Sequence, residues 1–203
     1  NLWLIPKSKI PECLIQKTGK FKSYPSLRNS TSIFQRKNGD LIFGSIDGTI
    51  KILDSKKNLK NKIQLPFEGS KNNAIYSITE DQKGHLWIAS GHSVYEMIDD
   101  DSSFVITKAQ INGRPNNINC FIFYYQNEIW VTTLGAGIYR KRSDEIVFNR
   151  VKSLGNNLTL HKNVWLHETP IVDHRNQYWI LISSGQKVQY KMICLNNKHL
   201  ALH

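Results

Sequence analysis

Apolar and polar positions alternate along this chain in short runs, and no stretch keeps apolar residues at i, i+3, i+4 and i+7, so the pattern predicts strands throughout. The segment GHLWIAS, at 84–90, sets the theme with a turn residue followed by apolar residues on both sides of a tryptophan. It returns as NEIWVTT at 127–133, NQYWILI at 176–182, GDLIFGS at 39–45 and NLWLIP at 1–6. The central residues of these segments, Trp3, Ile42, Trp87, Trp130 and Trp179, follow one another at intervals of 39, 45, 43 and 49. A near-constant period of this size marks one supersecondary unit used repeatedly, and its length suits four short antiparallel strands.

The strands around each anchor can be read in the same order. The clearest unit gives IYSITED (75–81), HLWIAS (85–90), SVYEMI (93–98), an acidic DDDSS turn and FVITKAQI (104–111). The unit after it gives INCFIFYY (118–125), EIWVTT (128–133), GIYRKR (137–142) and EIVFNRV (145–151). The unit before it gives TSIFQ, DLIFGS, TIKILD (49–54) and NKIQLPF (61–67), with Asp47-Gly48 as a hairpin turn. β-branched and aromatic residues fill every candidate strand, and the chain reads as all-β. A lone four-stranded sheet cannot bury both faces, whereas radially arranged sheets pack face to face, so the second strand of each is apolar on both sides. The expected fold is a β-propeller of four-stranded antiparallel blades, about five in this chain, at 1–28, 29–70, 71–115, 116–158 and 159–203. Trp87, Trp130 and Trp179 are then packing residues between blades.

The stretch ITEDQKGHLWIASGHSVYEM resembles the repeat of the two-component regulator propeller family, in which a short strand ends in an acidic residue and a glycine turn leads to Leu-Trp-Ile-Gly-Thr. YYQNEIWVTTLGAGIYRKR follows the same form, RKNGDLIFGSIDGTIKILD follows it less closely, and VDHRNQYWILISSGQKVQYKM follows it loosely. The resemblance implies a periplasmic sensor region of a membrane-bound hybrid two-component regulator, of the kind found in gut Bacteroidetes. Such regions detect carbohydrate fragments, pass the signal to a kinase elsewhere in the protein, and pair as homodimers. It also implies a larger, seven-bladed ring, of which this chain, whose first unit lacks its inner strand, would be a piece.

Composition adjusts this picture in three places. With 203 residues, 40% of them hydrophobic, there is material for one sizeable core, and no composition shift divides 1–203. The apolar runs CFIF and IWVTTLGAGIY are far shorter than the roughly 18 residues a membrane span needs, so no membrane contact is expected of this segment. No basic and apolar leader pattern occurs at the start, and Asn1 reads as a cut within a longer sequence. Cys13, Cys120 and Cys194 have no CxxC spacing, which argues against a zinc site or a disulfide framework; Cys120 and Cys194 read as buried thiols. The balance of 27 Lys and Arg against 16 Asp and Glu, a net charge of +11, favours an anionic partner. The basic clusters KKNLKNK (56–62) and RKR (140–142) lie near hairpins joining third and fourth strands and read as a solvated outer rim. Nucleic acid is not expected, because no basic aromatic strand or reading helix is present.

Candidate chemistry belongs to the loops joining second to third strands and to those joining one blade to the next, which together build the mouth of a propeller's channel. The inter-blade loops are LRNST (27–31), EGSKNN (68–73), NGRPNN (112–117) and SLGNNLTLHKN (153–163). Lys71, Asn73, Arg114, Asn117, Lys162 and Asn163 are expected to form a ring of donors there, suited to the hydroxyl, carboxylate or sulfate groups of an oligosaccharide. The same Asn and Gly residues are also ordinary turn formers. His161, His167 and His174 lack metal-ligand spacing, and no nucleophile, phosphate or dinucleotide motif occurs, so neither a cofactor nor a metal is expected. The chain itself is expected not to be an enzyme. A streptogramin-lyase-like or polysaccharide-lyase propeller, with His92 in the channel, and a passive scaffold are the alternatives.

Overall fold

The computed structural model describes residues 2–66, 72–91, 93–100, 103–113, 120–133, 136–154, 158–159, 164–166, 171–173, 175, 177–184, 189–195 and 201–202. The chain divides into two compact units, Asn1–Ile78 and Thr79–His203. Apart from a 3-10 turn at Pro25–Leu27, the regular elements among the described residues are strands.

The first unit opens with a three-stranded antiparallel sheet of β1 (Leu2–Leu4), β2 (Glu12–Ile15) and β3 (Lys20–Ser23). Trp3 stands opposite Cys13, and Cys13 opposite Lys22, so these three share a face. The 3-10 turn leads into β4 (Ser30–Gln35), β5 (Leu41–Ser45), β6 (Thr49–Leu53) and β7 (Leu59–Gln64), a four-stranded antiparallel sheet in chain order. β5 is buried along its whole length, while β7 alternates between half-buried and exposed positions. That gradient is what a second strand covered on both faces and a fourth strand at the rim require.

Leu27, Leu41, Phe43 and Leu53 form the core of this unit, with Trp3, Tyr24 and Ile33 packed against it. The Trp3 ring meets Phe43 edge-on at 5.3 Å, in the T-shaped geometry that ring quadrupoles favour. On the other face of β5, a Cβ on Gly44 would stand 2.7 Å from the Cβ of Ile75, the first residue of β8 (Ile75–Glu80). The glycine therefore makes room for the Ile75 side chain, and the Thr31 hydroxyl closes the contact by donating to the Ile75 carbonyl at 2.7 Å.

In the second unit, β8 continues into a sheet ordered β8, β9 (Leu86–Ser90), β10 (Val94–Asp100) and β11 (Ser103–Lys108). The following sheet contains β12 (Gln110–Ile111), β13 (Cys120–Tyr125), β14 (Glu128–Thr133), β15 (Ile138–Arg142) and β16 (Val147–Arg150). A two-stranded piece, β17 (Ser153–Leu154) with β18 (Leu158–Thr159), precedes the last sheet. There β19 (Val164–Leu166) and β20 (Ile171–Val172) both pair with β21 (Tyr178–Ser184), followed by β22 (Gln189–Leu195) and β23 (Ala201–Leu202).

Two details differ from the sequence reading. Residues 104–111 are not one outer strand: β11 ends at Lys108, and Gln110–Ile111 run parallel to Val147–Phe148 on the next sheet. Ala109 and Ile111 gain burial by crossing, because they pack against the cluster of Trp87, Ile122, Ile129, Val131, Tyr139 and Phe148. The acidic turn is also shorter than expected, since Asp99 and Asp100 extend β10 and pair with Phe104 and Ser103.

Of the repeated tryptophans, Trp87 packs between neighbouring sheets, while Trp130 stacks within its own sheet. Trp87 reaches from β9 to β14 and meets Phe148 edge-on at 5.7 Å. Trp130 stacks on Phe123 at 6.1 Å, and Phe123 stacks in turn on Tyr178 of the last sheet at 5.3 Å.

Candidate functional site

Each sheet has two ends with different chemistry. At the end where first and second strands are joined, a carboxylate locks the hairpin. One oxygen of Asp81 accepts the N–H groups of Lys83 and His85, both at 2.9 Å, and the other accepts the Trp87 indole N–H at 3.1 Å. Asp173 repeats the device with Arg175, Gln177 and Trp179 at 2.8, 3.0 and 3.0 Å. In the sheet between them a two-residue turn at Gln126-Asn127 replaces the aspartate, and the buried Trp130 Nε1 has no hydrogen-bond partner.

Asp81, His85 and Glu96 place three possible metal-ligating atoms within 4.8 Å of one another. His85 Nδ1 lies 2.9 Å from Glu96 and 3.7 Å from Asp81. Both Asp81 oxygens already serve the hairpin and the indole, and the equivalent place beside Asp173 holds Gln177 and Cys194. The trio is a cross-strand polar ladder of the blade.

At the opposite end, where second strands hand over to third strands, hydroxyl groups organise the loops. Ser90 donates to the Ser93 carbonyl at 3.0 Å and accepts its N–H at 3.2 Å. Thr133 donates to the Gly137 carbonyl at 2.7 Å and accepts the Ala136 N–H at 3.1 Å. In the first unit an aspartate does this work: Asp47 accepts the Thr49 N–H at 3.0 Å, and Gln64 bridges the Thr49 hydroxyl and the Asp47 carbonyl, both at 3.0 Å. Burial pushes the Asp47 carboxyl up, but the hydrogen bonds from Thr49 and from its own N–H, with the Lys51 charge, hold it below the ordinary carboxylate value. The loop before β4 joins this end, since the Asn29 carbonyl, at a left-handed φ of 69°, accepts the Ile46 N–H at 2.9 Å. A carboxylate, amides and an exposed Ile46 side chain make a surface able to bind hydroxyl groups over an apolar patch.

Of the residues expected in the donor ring, Asn73 is half-buried in the segment leading into β8. Its neighbour Asn72 shapes that segment, donating to the Tyr76 hydroxyl at 3.0 Å and accepting the Ala74 N–H at 3.3 Å. Lys71, Arg114, Asn117, Lys162 and Asn163 lie outside the described residues, as do His92, His161, His167 and His174. Asp47, Thr49 and Gln64 were missed by sequence reasoning; the Asp-Gly dipeptide signalled the turn, and nothing signalled Gln64. The basic cluster at 140–142 is built into the sheet and does not form a free rim. Arg140 and Arg142 pair with Glu128 at 3.4 and 3.2 Å, and Lys141 lies over Trp87 at 5.1 Å.

Four-stranded antiparallel sheets repeated along the chain are those of a β-propeller, and the comparisons with known proteins agree. A family described as "Two component regulator propeller" matches residues 69–92, the stretch around Trp87. The chain is similar to virginiamycin B lyase from Staphylococcus aureus, with a TM-score of 0.65 and 16% identity over 97% of this chain and 63% of the lyase. It is also similar to extracellular domains of hybrid two-component systems from B. thetaiotaomicron. One has a TM-score of 0.60 and 21% identity over 88% of this chain and 23% of that domain. Another has a TM-score of 0.60 and 14% identity over 99% of this chain and 27% of that domain. The chain thus spans less than two-thirds of the lyase and about a quarter of these extracellular domains. No curated protein matches it.

Proposed function

We propose that this chain is an extracytoplasmic ligand-sensing segment of a hybrid two-component signalling protein, binding a carbohydrate fragment at the loop end of its blades. The observation that carries the reading is the coincidence of a two-component regulator propeller repeat with structural likeness to extracellular domains of hybrid two-component systems. In this reading the blades have no turnover of their own; a kinase elsewhere in the full protein does the chemistry. Ligand binding alters packing between ectodomains, with a homodimer interface as the two-state element. Among the described residues no helix is long and apolar enough to cross a membrane, so an anchor would be supplied by other parts of the protein.

The donors proposed for the ligand are those of the sequence reading, Lys71, Asn73, Arg114, Asn117, Lys162 and Asn163. The test is a thermal-shift screen of the chain against neutral oligosaccharides at physiological salt, where a ligand at 100 times its dissociation constant adds about 2.7 kcal/mol. One glycan should stabilise the chain, and Arg114→Ala and Asn73→Ala should abolish that shift with unchanged ligand-free melting. Absence of any shift would leave a scaffold. Consumption of quinupristin, the compound bound in a structure of an inactive lyase variant, would replace sensing by lyase chemistry.

A further inference from the structure

Charge is divided unevenly along the chain. The first unit holds 14 Lys and Arg against 5 Asp and Glu, and the second holds 13 against 11. Five of the basic residues of the first unit gather in one place. On the face shared by Trp3, Cys13 and Lys22, the Trp3 and Tyr24 rings lie 4.8 Å apart. Lys22 covers Tyr24 at 5.2 Å, and Lys57, reaching over from the β6–β7 hairpin, covers Trp3 at 5.3 Å and stands 3.7 Å from the Cys13 thiol. Two residues beyond Tyr24, the Ser26 carbonyl accepts from Lys51 of β6 at 2.7 Å. Lys62 of β7 stands directly opposite Lys51. Lys20 shares the face of Lys22, two positions away on β3.

Among the described residues, acidic groups do not neutralise this groove. Asp54 spends its carboxylate on the Asn58 N–H and amide at 2.8 and 3.2 Å. Glu12 accepts from Ser23 on the opposite face of its sheet, and Asp40 is engaged by Lys60 at 3.0 Å. Asp47 alone acts favourably on Lys51, and burial together with the Lys62 charge still lowers the Lys51 pKa.

Two features are unfavourable to folding as such. Like charges directly opposed across a strand pair repel. Lys57 is held at a φ of 71°, a left-handed conformation that glycine or asparagine adopts more easily. Lysines on β3 and β7 are accounted for by protection of exposed sheet edges. That account does not reach Lys51, on an inner strand, or Lys57, in a strained turn. An anion bridging the lysines would relieve the repulsion between Lys51 and Lys62 and give the Lys57 ammonium a partner.

We infer that the groove between β3 and β6–β7, lined by Lys20, Lys22, Lys51, Lys57 and Lys62 over Trp3 and Tyr24, binds a linear sulfated oligosaccharide. Sulfate groups on a flexible sugar chain suit point-charge lysine donors. Nucleic acid fits less well, because the two rings are already capped by ammonium groups and offer bases no open face for stacking. The groove lies at the outer strands of its sheets, so it stands or falls independently of the loop-end site.

The experiment measures the affinity of the full chain for a heparin-type sulfated hexasaccharide by titration calorimetry at low and physiological salt. Binding should weaken as salt rises. The Lys22→Ser/Lys62→Ser variant should bind about tenfold more weakly, whereas Lys83→Ser/Lys152→Ser, with the same loss of charge in the second unit, should bind as the parent does. Lys57→Gly separates binding from folding: it should melt no lower than the parent, because it relieves the left-handed turn, and still bind several-fold more weakly. Equal weakening by both double variants, no measurable binding by the parent, or equally tight binding of single-stranded DNA of matched charge would each overturn the inference.

Discussion

Replacing Asp81 by alanine isolates the contact that locks a blade. The carboxylate holds two backbone N–H groups and the indole N–H of Trp87, a residue only 2% exposed. Lys83 is exposed and His85 half-buried, so water can take over at the two backbone groups, each worth about 0.5–1.5 kcal/mol net. Water cannot readily reach the indole, and a buried donor left without a partner costs about 1–3 kcal/mol. Asp81→Ala should therefore destabilise by about 3 kcal/mol, a fall in Tm of roughly 10 °C for a chain of this size. Asp81→Asn should cost less, because its amide oxygen still accepts both backbone groups while its NH2 faces the indole donor. A double-mutant cycle with Trp87→Phe, read by urea denaturation with fluorescence and circular dichroism, should give a coupling of about 1–2 kcal/mol. Trp130 is the internal control: its N–H is already unpaired, so Trp130→Phe should cost less than Trp87→Phe. A coupling near zero, or equal costs for the two tryptophans, would refute the anchoring role.

Two further outcomes test the packing of each unit. Gly44→Ala should destabilise by about 2–3 kcal/mol in urea denaturation, because its Cβ would collide with Ile75 and the Ser32 hydroxyl, and Ile75→Ala in the same chain should recover part of the loss. In the second unit, the Tyr178 hydroxyl donates to the Tyr124 carbonyl at 3.0 Å, and burial raises its pKa above the ordinary 10.0. The neutral phenol is the form the fold favours, so its stabilisation is present below about pH 10 and is lost as pH rises through the folded value. Alkaline unfolding followed by tyrosinate absorbance should show this loss, and Tyr178→Phe should remove it.

The blade was legible in the sequence because burial on both faces of the second strand forces a period that point changes do not hide. Trp3, Trp87 and Trp130 all fell where that period put them, as did the strands paired directly with those of Trp87 and Trp130. The aspartate anchor was half legible: Asp81 and Asp173 each precede a tryptophan by six positions, but the spacing acquires meaning only once the hairpin curls the carboxylate back onto the indole. The crossing of Gln110–Ile111 to the next sheet was not legible, because apolar residues such as Ile111 read equally well as a continuation of β11. The basic groove was hidden for a different reason. Trp3, Lys22, Lys51 and Lys57 belong to separate repeats or separate strands, and the local charge runs at 56–62 and 140–142 looked alike although Lys57 and Lys62 of the first lack a carboxylate partner among the described residues, whereas Arg140 and Arg142 of the second are paired with Glu128.

That contrast bears on where binding can reside in a blade. At the hairpin end the polar groups are committed to one another, with Asp81 and Asp173 on indoles, Glu128 on two arginines and Asp40 on Lys60. Loss of any of them is a loss of stability, which leaves little freedom for recognition. At the other end, Ser90 and Thr133 tie loops only to themselves, within three or four residues, so neighbouring side chains can change without disturbing the sheet. The groove of the first unit has a third character: its lysines are ordered by aromatic rings and a carbonyl, yet their charges oppose one another. Order without neutralisation is costly unless an anion completes it, and this is the physical basis for placing a sulfated ligand there while assigning the neutral glycan to the loop end.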